Sequence, residues 1–330
     1  YKSFAMYVNW TWNTNEFFTF NAGTRLTYTG LRARWKESAS INAQLSNVKL
    51  NSSALTTTLS MTLRPSKKFQ IMTVLSSGFR NPNIDDIGKI RENNGILVVP
   101  NTFLKAEYAY NLDLGINFKS LNQLTYVSFR TFATVISRHI VRDDFIIFSD
   151  TTTSDESTIL YNGEEVTTIA NKNLGNRFIH GFSIDGFSYF SKSLKFNGSI
   201  SYIKGDENET YGPMPSISPI FGTISGEYSK NKFKVSALYK FSGDKSPGDY
   251  SLGGEDGLEE TPEIIESNGL IKYAGTPKWS DFSIYTNYDI SQDVKVRFAL
   301  TNIFDNHYRS FASGISAPGR SFQIGLYLKL

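Results

Sequence analysis

"PNTFLKAEYAYNLDLGINFK", Pro100 to Lys119, is the stretch whose reading decides the fold. Apolar residues fall at every second position, Leu104, Ala106, Tyr108, Tyr110, Leu112, Leu114, Ile116 and Phe118, with Lys105, Glu107, Asn111, Asp113 and Asn117 between them. A β-strand sends successive side chains to opposite faces, so this pattern describes a strand with one apolar and one polar face. It is longer than the roughly five to six residues usual in globular sheets.

The same spacing recurs along the chain. It appears at Phe4, Met6, Val8, Trp10 and Trp12, at Leu55, Leu59, Met61 and Leu63, and at Phe233, Val235, Ala237, Tyr239 and Phe241. Near the end it returns at Phe282, Ile284, Tyr288 and Ile290, then Val294, Val296, Phe298 and Leu300, and finally Phe322, Ile324, Leu326, Leu328 and Leu330. Short connections such as "NTNE" (Asn13 to Glu16), "RPSKK" (Arg64 to Lys68) and "SQD" (Ser291 to Asp293) alternate with long ones, near 30–51, 80–103, 140–176, 205–219, 243–279 and 304–320. Short turns at one edge and long loops at the other are the layout of an outer-membrane barrel. About thirteen strands are expected.

Composition agrees with a membrane wall. No run approaches the ~18 consecutive apolar residues a membrane helix needs, the longest being "GILVVP" and "FIIF". A barrel needs no such run, because each strand shows apolar residues to lipid and polar ones to the lumen while the closed sheet pairs every backbone amide. Aromatic residues make up 14% of the chain, with 25 Phe and 18 Tyr, and rings near strand ends, Trp10, Trp12, Phe17, Phe18 and Phe69, are placed to form interfacial girdles. A soluble β-sandwich also alternates, but its strands and connections are shorter.

Several functions are excluded or disfavoured. Without cysteine there is no disulfide framework, cysteine nucleophile or thiolate metal site. Lys+Arg 34 against Asp+Glu 31 is too balanced for a nucleic-acid partner. The three histidines, His139, His180 and His307, form no HExxH motif, and no nucleophile elbow or phosphate loop is present. The expectation is a non-enzyme without cofactor, catalytic residue or metal site. Tyr1 opens directly in a strand pattern, so a processed chain or a fragment is expected.

Three motifs resemble those of the TonB-dependent outer-membrane receptors: "SSGFRNPNIDDI" (Ser76 to Ile87), the Pro100 to Lys119 strand, and "VRFALTNIFDNHYRSFASGISAPGRSFQIGLYLKL" (Val296 to Leu330). They occur in the family's order and, with the strand pattern, span nearly the whole chain. The resemblance implies an all-β fold, an antiparallel transmembrane β-barrel of which residues 1–330 are the C-terminal portion, about 13 of about 22 strands. The N-terminal plug domain and first strands would lie outside this chain, and the sheet would carry two unpaired edges. The chain ends in Leu330 where such barrels commonly end in an aromatic.

Function follows from the same resemblance: active uptake of a scarce nutrient such as an iron chelate, driven by the TonB system in the outer membrane of a Gram-negative bacterium. The implied partners are outer-membrane lipid, the small nutrient, and the TonB complex through the N-terminal part. A passive porin is the alternative, and an outer-membrane hydrolase a further one. Phe79, Arg80, Asn81 and Asn83 are the candidate ligand-binding residues at the outer mouth, an Arg fork suiting carboxylate or catecholate oxygens. The competing reading is that Arg80 ties the loop to the barrel wall. No histidine lies between Pro82 and Asn101, which places haem below an iron chelate. The acidic segment Asp244–Glu266 is either a solvated loop or, through clustered carboxylates, a hard-cation site.

Overall fold

The computed structural model describes residues 1–34, 47–93, 95–146, 158–208, 212–251, 256–267 and 269–329. Thirteen strands form one antiparallel sheet in strict chain order. They are Lys2–Asn13, Phe18–Arg34, Asn47–Ser66, Phe69–Arg80, Glu107–Lys119, Thr125–Ser137, Arg177–Tyr189, Leu194–Gly205, Phe221–Lys230, Phe233–Ser242, Trp279–Asp289, Val294–Thr301 and Ser321–Leu328. Every neighbouring pair is a hairpin partner, so short turns gather on one edge and long loops on the other. Register is continuous over most pairs, the exception being an irregularity between Leu63 and Ser66. The expected strand count is met.

The wall is apolar outside and polar inside, the reverse of a soluble sheet. In Glu107–Lys119 the apolar Tyr110, Leu112, Leu114 and Ile116 are exposed, while Asn111, Asp113 and Asn117 are half-buried. Cross-strand pairs keep this parity: Leu112 faces Leu75, Leu114 faces Thr73 and Ile116 faces Ile71. On the polar side Asn21 donates to Ser60, Thr134 to Asn111 and Asn197 to Ser225. Exposing a leucine row to water would be costly, at about 25 cal/mol per Å² of apolar surface; hydrocarbon is the solvent that fits it. The rings Trp10 and Trp12 stack at 6.0 Å near the short-turn edge, and Phe69 packs on Phe118 at 5.2 Å, as a girdle requires.

Two features differ from the sequence expectation. The alternation beginning at Leu104 places Leu104 and Ala106 on the lipid face, yet the strand starts at Glu107 and both residues are buried. Tertiary packing overrides the period there: Leu104 joins Leu31, Val48, Ile87 and Ile140 in a small core beneath the outer loops. The long segments near 80–103 and 140–176 are also not simple loops. Arg91–Asn93, Ile96–Val98, Thr158–Tyr161 and Glu164–Leu174 form a second sheet, and His139–Asp144 pairs along Glu164–Leu174. Leu97, Val99, Val166 and Ala170 make its core. Both cores of soluble type among the described residues thus sit above the wall, where water replaces lipid.

Leu97→Ala, at a site 0% exposed, should destabilise this outer sheet by about 2–5 kcal/mol and leave the wall intact. Limited proteolysis of the intact protein in detergent should cut within 91–174 faster than in the parent, with the heat-modifiable electrophoretic shift of the barrel unchanged.

Candidate functional site

The outer edge of the sheet carries the polar chemistry, built from the motifs noted in the sequence. Phe79 and Arg80 are adjacent in a strand and so point to opposite faces: Phe79 lies opposite Tyr108, ring centroids 6.3 Å apart, and Arg80 lies opposite Glu107. Its guanidinium donates from Nε to Glu107 Oε2 at 3.0 Å and from Nη1 to Asp86 Oδ2 at 2.9 Å. Asn83 caps the short helix Ile84–Gly88, its Oδ1 accepting from the Asp86 amide while Asp86 Oδ2 accepts from the Asn83 amide, both at 2.9 Å. Asn81 Oδ1 is buried without a partner among the described residues.

The four candidate residues therefore do not converge on one cavity. Arg80 and Asn83 meet through Asp86, Phe79 faces the other way, and the Arg80 fork is occupied by two carboxylates. Half of the Arg80 side chain stays exposed, at 47%. The geometry is that of a loop tied to the wall, the competing reading of this arginine.

A second cluster continues the first. His139 is 7% exposed and lies 4.0 Å from Glu107 through Nε2, while its Nδ1 has no partner among the described residues. Arg177, 3% exposed, donates to Asp206 Oδ1 at 2.7 Å and to the carbonyls of Asp206 and Gly212. Burial, with the Arg177 and Arg80 charges opposing only Asp206, pulls His139 down to about 4. The amides of Asn101, Asn171 and Asn173 stitch these loops together: Asn101 donates to the Asn171 carbonyl, Asn171 to that of Asp86, and Asn173 to those of Lys105 and Arg138.

The C-terminal motif forms a third cluster. Asn302, 2% exposed with φ 48°, donates to the carbonyls of Asn306 and Pro318 and accepts from the Asn306 amide. Asn is among the few residues that tolerate this left-handed backbone, and the turn it fixes carries the chain on to Tyr308. Tyr308 stacks on Trp279 at 4.2 Å and 17° and donates to Asp281 Oδ2 at 3.1 Å. Burial and the Asp281 carboxylate push its hydroxyl up to about 12, so it remains a hydrogen-bond donor. The Arg320 amide donates to Asp305 Oδ1 at 2.7 Å, locking "APGRS" as a rim turn into the closing strand.

Between this turn and the preceding loop lies a cavity of about 310 Å³, lined by Glu260, Pro262, Lys278, His307, Tyr308 and Arg309 among others. Arg309 is held by the Glu260 carbonyl at 2.8 Å and by Ser316 Oγ at 3.2 Å. Lys278 is exposed and has no carboxylate within ion-pair distance among the described residues. Sequence reasoning missed this cavity: Lys278 carries no motif, and Tyr308 and Arg309 sat in a motif read only as family resemblance.

Of the acidic segment, Asp244, Asp249, Glu259, Glu260 and Glu263 stay exposed, as in a solvated loop, while two carboxylates are tied down. Asp256, 2% exposed, pairs with Lys245 at 3.2 Å and accepts from the Ser216 amide at 2.7 Å. Lys245 also donates to the Ile217 carbonyl and lies 4.0 Å above the Phe311 ring. Glu266 pairs with Lys272 at 2.6 Å. Glu255 lies outside the described residues. Among those described, no group of three or more His, Cys, Asp or Glu side chains could hold a metal ion.

An antiparallel hairpin sheet with this inverted polarity and these rim motifs is matched by the family described as TonB dependent receptor-like, beta-barrel, over residues 1–303. The chain belongs to that family. Such barrels of Gram-negative bacteria sit in the outer membrane. Among solved structures it is similar to the copper transporter OprC, with 15% identity, 99% of this chain and 47% of the other covered, and a TM-score of 0.75. It is also similar to the hemophore receptor HasR of Serratia marcescens, at 14% identity, 99% and 51% coverage and a TM-score of 0.70. For the siderophore receptor PirA of Acinetobacter baumannii the values are 17%, 99% and 54%, and 0.69. At these identities the likeness is one of fold. The chain spans about half the length of these receptors. No curated protein matches it.

His139 provides a pH dependence whose sign follows from its shift. The folded state holds the ring neutral down to about 4, whereas an unfolded loop protonates it near 6.5. The loop contacts are therefore fully stable above about pH 6.5 and weaken as pH falls toward 4, by up to roughly 1.4 kcal/mol per pH unit. Hydrogen exchange in 139–144 and 164–174 should rise across that window, and His139→Gln should flatten the rise while exchange in the wall strands stays unchanged.

Proposed function

We propose that this chain is the C-terminal portion of the barrel of an outer-membrane active-transport receptor, one that takes up a scarce nutrient such as an iron chelate with energy delivered through the TonB system. The observation that carries the reading is the thirteen-strand inverted sheet whose sequence matches the receptor barrel family over residues 1–303. A plug domain and the remaining strands, about nine of an expected 22, complete the receptor in this reading. The similar structures, a copper transporter, an iron transporter of Neisseria meningitidis and siderophore and hemophore receptors, support a metal or metal chelate as the cargo class.

In this reading the ligand docks on the outer face, and the cavity under Lys278 and Arg309 offers it two cationic groups beside a protonated phenol. Such groups suit the carboxylate, hydroxamate or catecholate oxygens of a metal chelate, because charge-assisted bonds are the stronger ones. The protein moves its cargo without covalent chemistry. The residues Phe79, Arg80, Asn81 and Asn83 contribute to this face by holding the neighbouring loop, with Arg80 as its clasp.

Uptake of a labelled iron chelate by cells carrying the intact receptor should depend on both the receptor and TonB. Uptake that persists without TonB would replace this reading with the passive-porin one. Combined Lys278→Gln and Arg309→Gln substitutions should weaken binding of the transported chelate about tenfold or more, the effect of losing at least ~1.4 kcal/mol, without changing barrel assembly.

A further inference from the structure

Strand parity assigns a face to every charge in the thirteen wall strands. Their carboxylates, Glu107, Asp113, Asp185, Glu227, Asp281 and Asp289, all share the inward face. The lysines and arginines divide, and those on the lipid face are Lys2, Arg32, Arg34, Lys49, Lys204 and Lys230. All of these but Lys230 stand at the long-loop edge. The lipid face there is cationic, with no carboxylate of the wall to offset it.

Three of these cations cluster across the first three strands. Arg32 lies directly opposite Lys49, and Gly30 lies between Lys2 on one neighbour and Asn51 on the other. Lys2, Tyr28, Arg32, Lys49 and Asn51 are exposed, whereas Thr27, Thr29, Leu31 and Val48, on the opposite parity, are buried. Lys2, Arg32 and Lys49 have no carboxylate within ion-pair distance among the described residues. Like charges directly opposite, with Cα atoms about 4.5–5.5 Å apart, destabilise a strand pair unless an anion joins them. Gly30 gives such an anion a floor: a Cβ there would stand 3.4 Å from Asn51 Oδ1 and 3.9 Å from the Tyr28 hydroxyl, so two polar side chains lean over a position that has none of its own. The height is that of the outer headgroups. Lys2–Asn13 has 12 residues, and at ~3.3 Å per residue with a tilt near 40° that length crosses the ~25 Å apolar band. Below the cluster run Phe4, Met6, Leu26 and Leu55, all exposed; beside it Leu31 and Val48 already enter the core under the outer loops. Lys204, opposite His180, stands at the matching end of another 12-residue strand.

We infer that Lys2, Arg32 and Lys49, around Gly30, form a binding site for a phosphate monoester on the headgroup of an outer-leaflet lipid. Charge and position select this occupant together. A monoester carries about −1.5 to −2 charge near neutral pH, which suits three cations better than the single charge of a phosphodiester. The Arg32 fork takes two of its oxygens, while Lys49 and Lys2 act as point charges. The acyl chains then follow the apolar row from Phe4 and Leu26 down the outside of the wall, a contact that a soluble anion would leave unused. Basic side chains at the headgroup level recognise anionic lipid in this way.

The inference rests on the outer-membrane barrel reading, and the test separates the two. The intact receptor is reconstituted in phosphatidylcholine nanodiscs containing bis-phosphorylated lipid A or its dephosphorylated form, released from the discs, and its retained lipids are counted by native mass spectrometry. The phosphorylated form should be retained several-fold over the dephosphorylated one, and added inorganic phosphate should not displace it. The R32Q/K49Q variant should lose that preference, while R32K/K49R and the opposite-edge variant K230Q should keep it, with the heat-modifiable shift showing each folded. Equal retention of the two forms by the parent receptor overturns the inference whatever the variants do. So does a preference unchanged in R32Q/K49Q, a preference lost equally in K230Q, or displacement by inorganic phosphate, and each of these leaves the receptor reading intact. A receptor that fails to enter the discs overturns both.

Discussion

Everything in this molecule depends on one constraint: a peptide N–H or C=O in hydrocarbon has no water to bond to. Helices satisfy that demand within one segment; this chain satisfies it between neighbours, and the strict order of thirteen hairpin-linked strands is the result. Because each strand pairs only with those beside it, the wall has no conventional hydrophobic core to locate it. Its orientation comes instead from the period-two alternation that points leucine and phenylalanine to lipid and serine, threonine and asparagine inward. The two end strands, Lys2–Asn13 and Ser321–Leu328, each have a partner on one side, so their outer backbone groups require further pairing in a membrane.

Where the wall leaves hydrocarbon, the rules revert to those of soluble proteins. Leu31, Val48, Ile87, Leu104 and Ile140 bury one another there, and a five-stranded sheet assembles from two long connections. The residues that join this cap to the wall are polar and specific. Arg80 reaches Asp86 and Glu107, and Asn101, Asn171 and Asn173 span neighbouring loops through their amides. Each bond is modest alone, about 0.5–1.5 kcal/mol net. Leaving one partner buried and unmatched costs more, so the set is cooperative.

The sequence made the wall legible because lipid imposes a pattern that tertiary context does not override. Strand number and the two unequal edges could be read without coordinates. The cap was not legible, for a physical reason: its strands are as short as the three residues of Arg91–Asn93 and Ile96–Val98, too short for periodicity to register. Leu104 shows the limit well, since it continues the lipid-facing alternation in sequence yet is buried at 5% exposure by loops that close over it. The site fared likewise. Arg80 was visible as part of a motif, but whether its fork met a ligand or Asp86 and Glu107 depended on a helix cap that places Asp86 in reach. Lys278 and Arg309, far apart in sequence, become neighbours only through the fixed turn at Asn302.

The distribution of charge then explains how an acidic set of outer loops can present a cationic recess. Asp86 and Glu107 are bound by Arg80, Asp143 by Lys172, Asp206 by Arg177 and Asp256 by Lys245, while Asp281 accepts from Tyr308. A carboxylate held by a cation contributes little field at a distance, because the pair is nearly neutral. These six carboxylates fasten the rim, while Asp244, Asp249, Glu259 and Glu263 stay exposed and outside the ion pairs among the described residues. Lys278 stands at the lip of its cavity beyond their reach, and Arg309 is held there by neutral oxygens, of Glu260 and Ser316. A recess whose positive charge is offset only by Glu260 draws anionic ligands inward, and it can do so although the loops around it count more acids than bases.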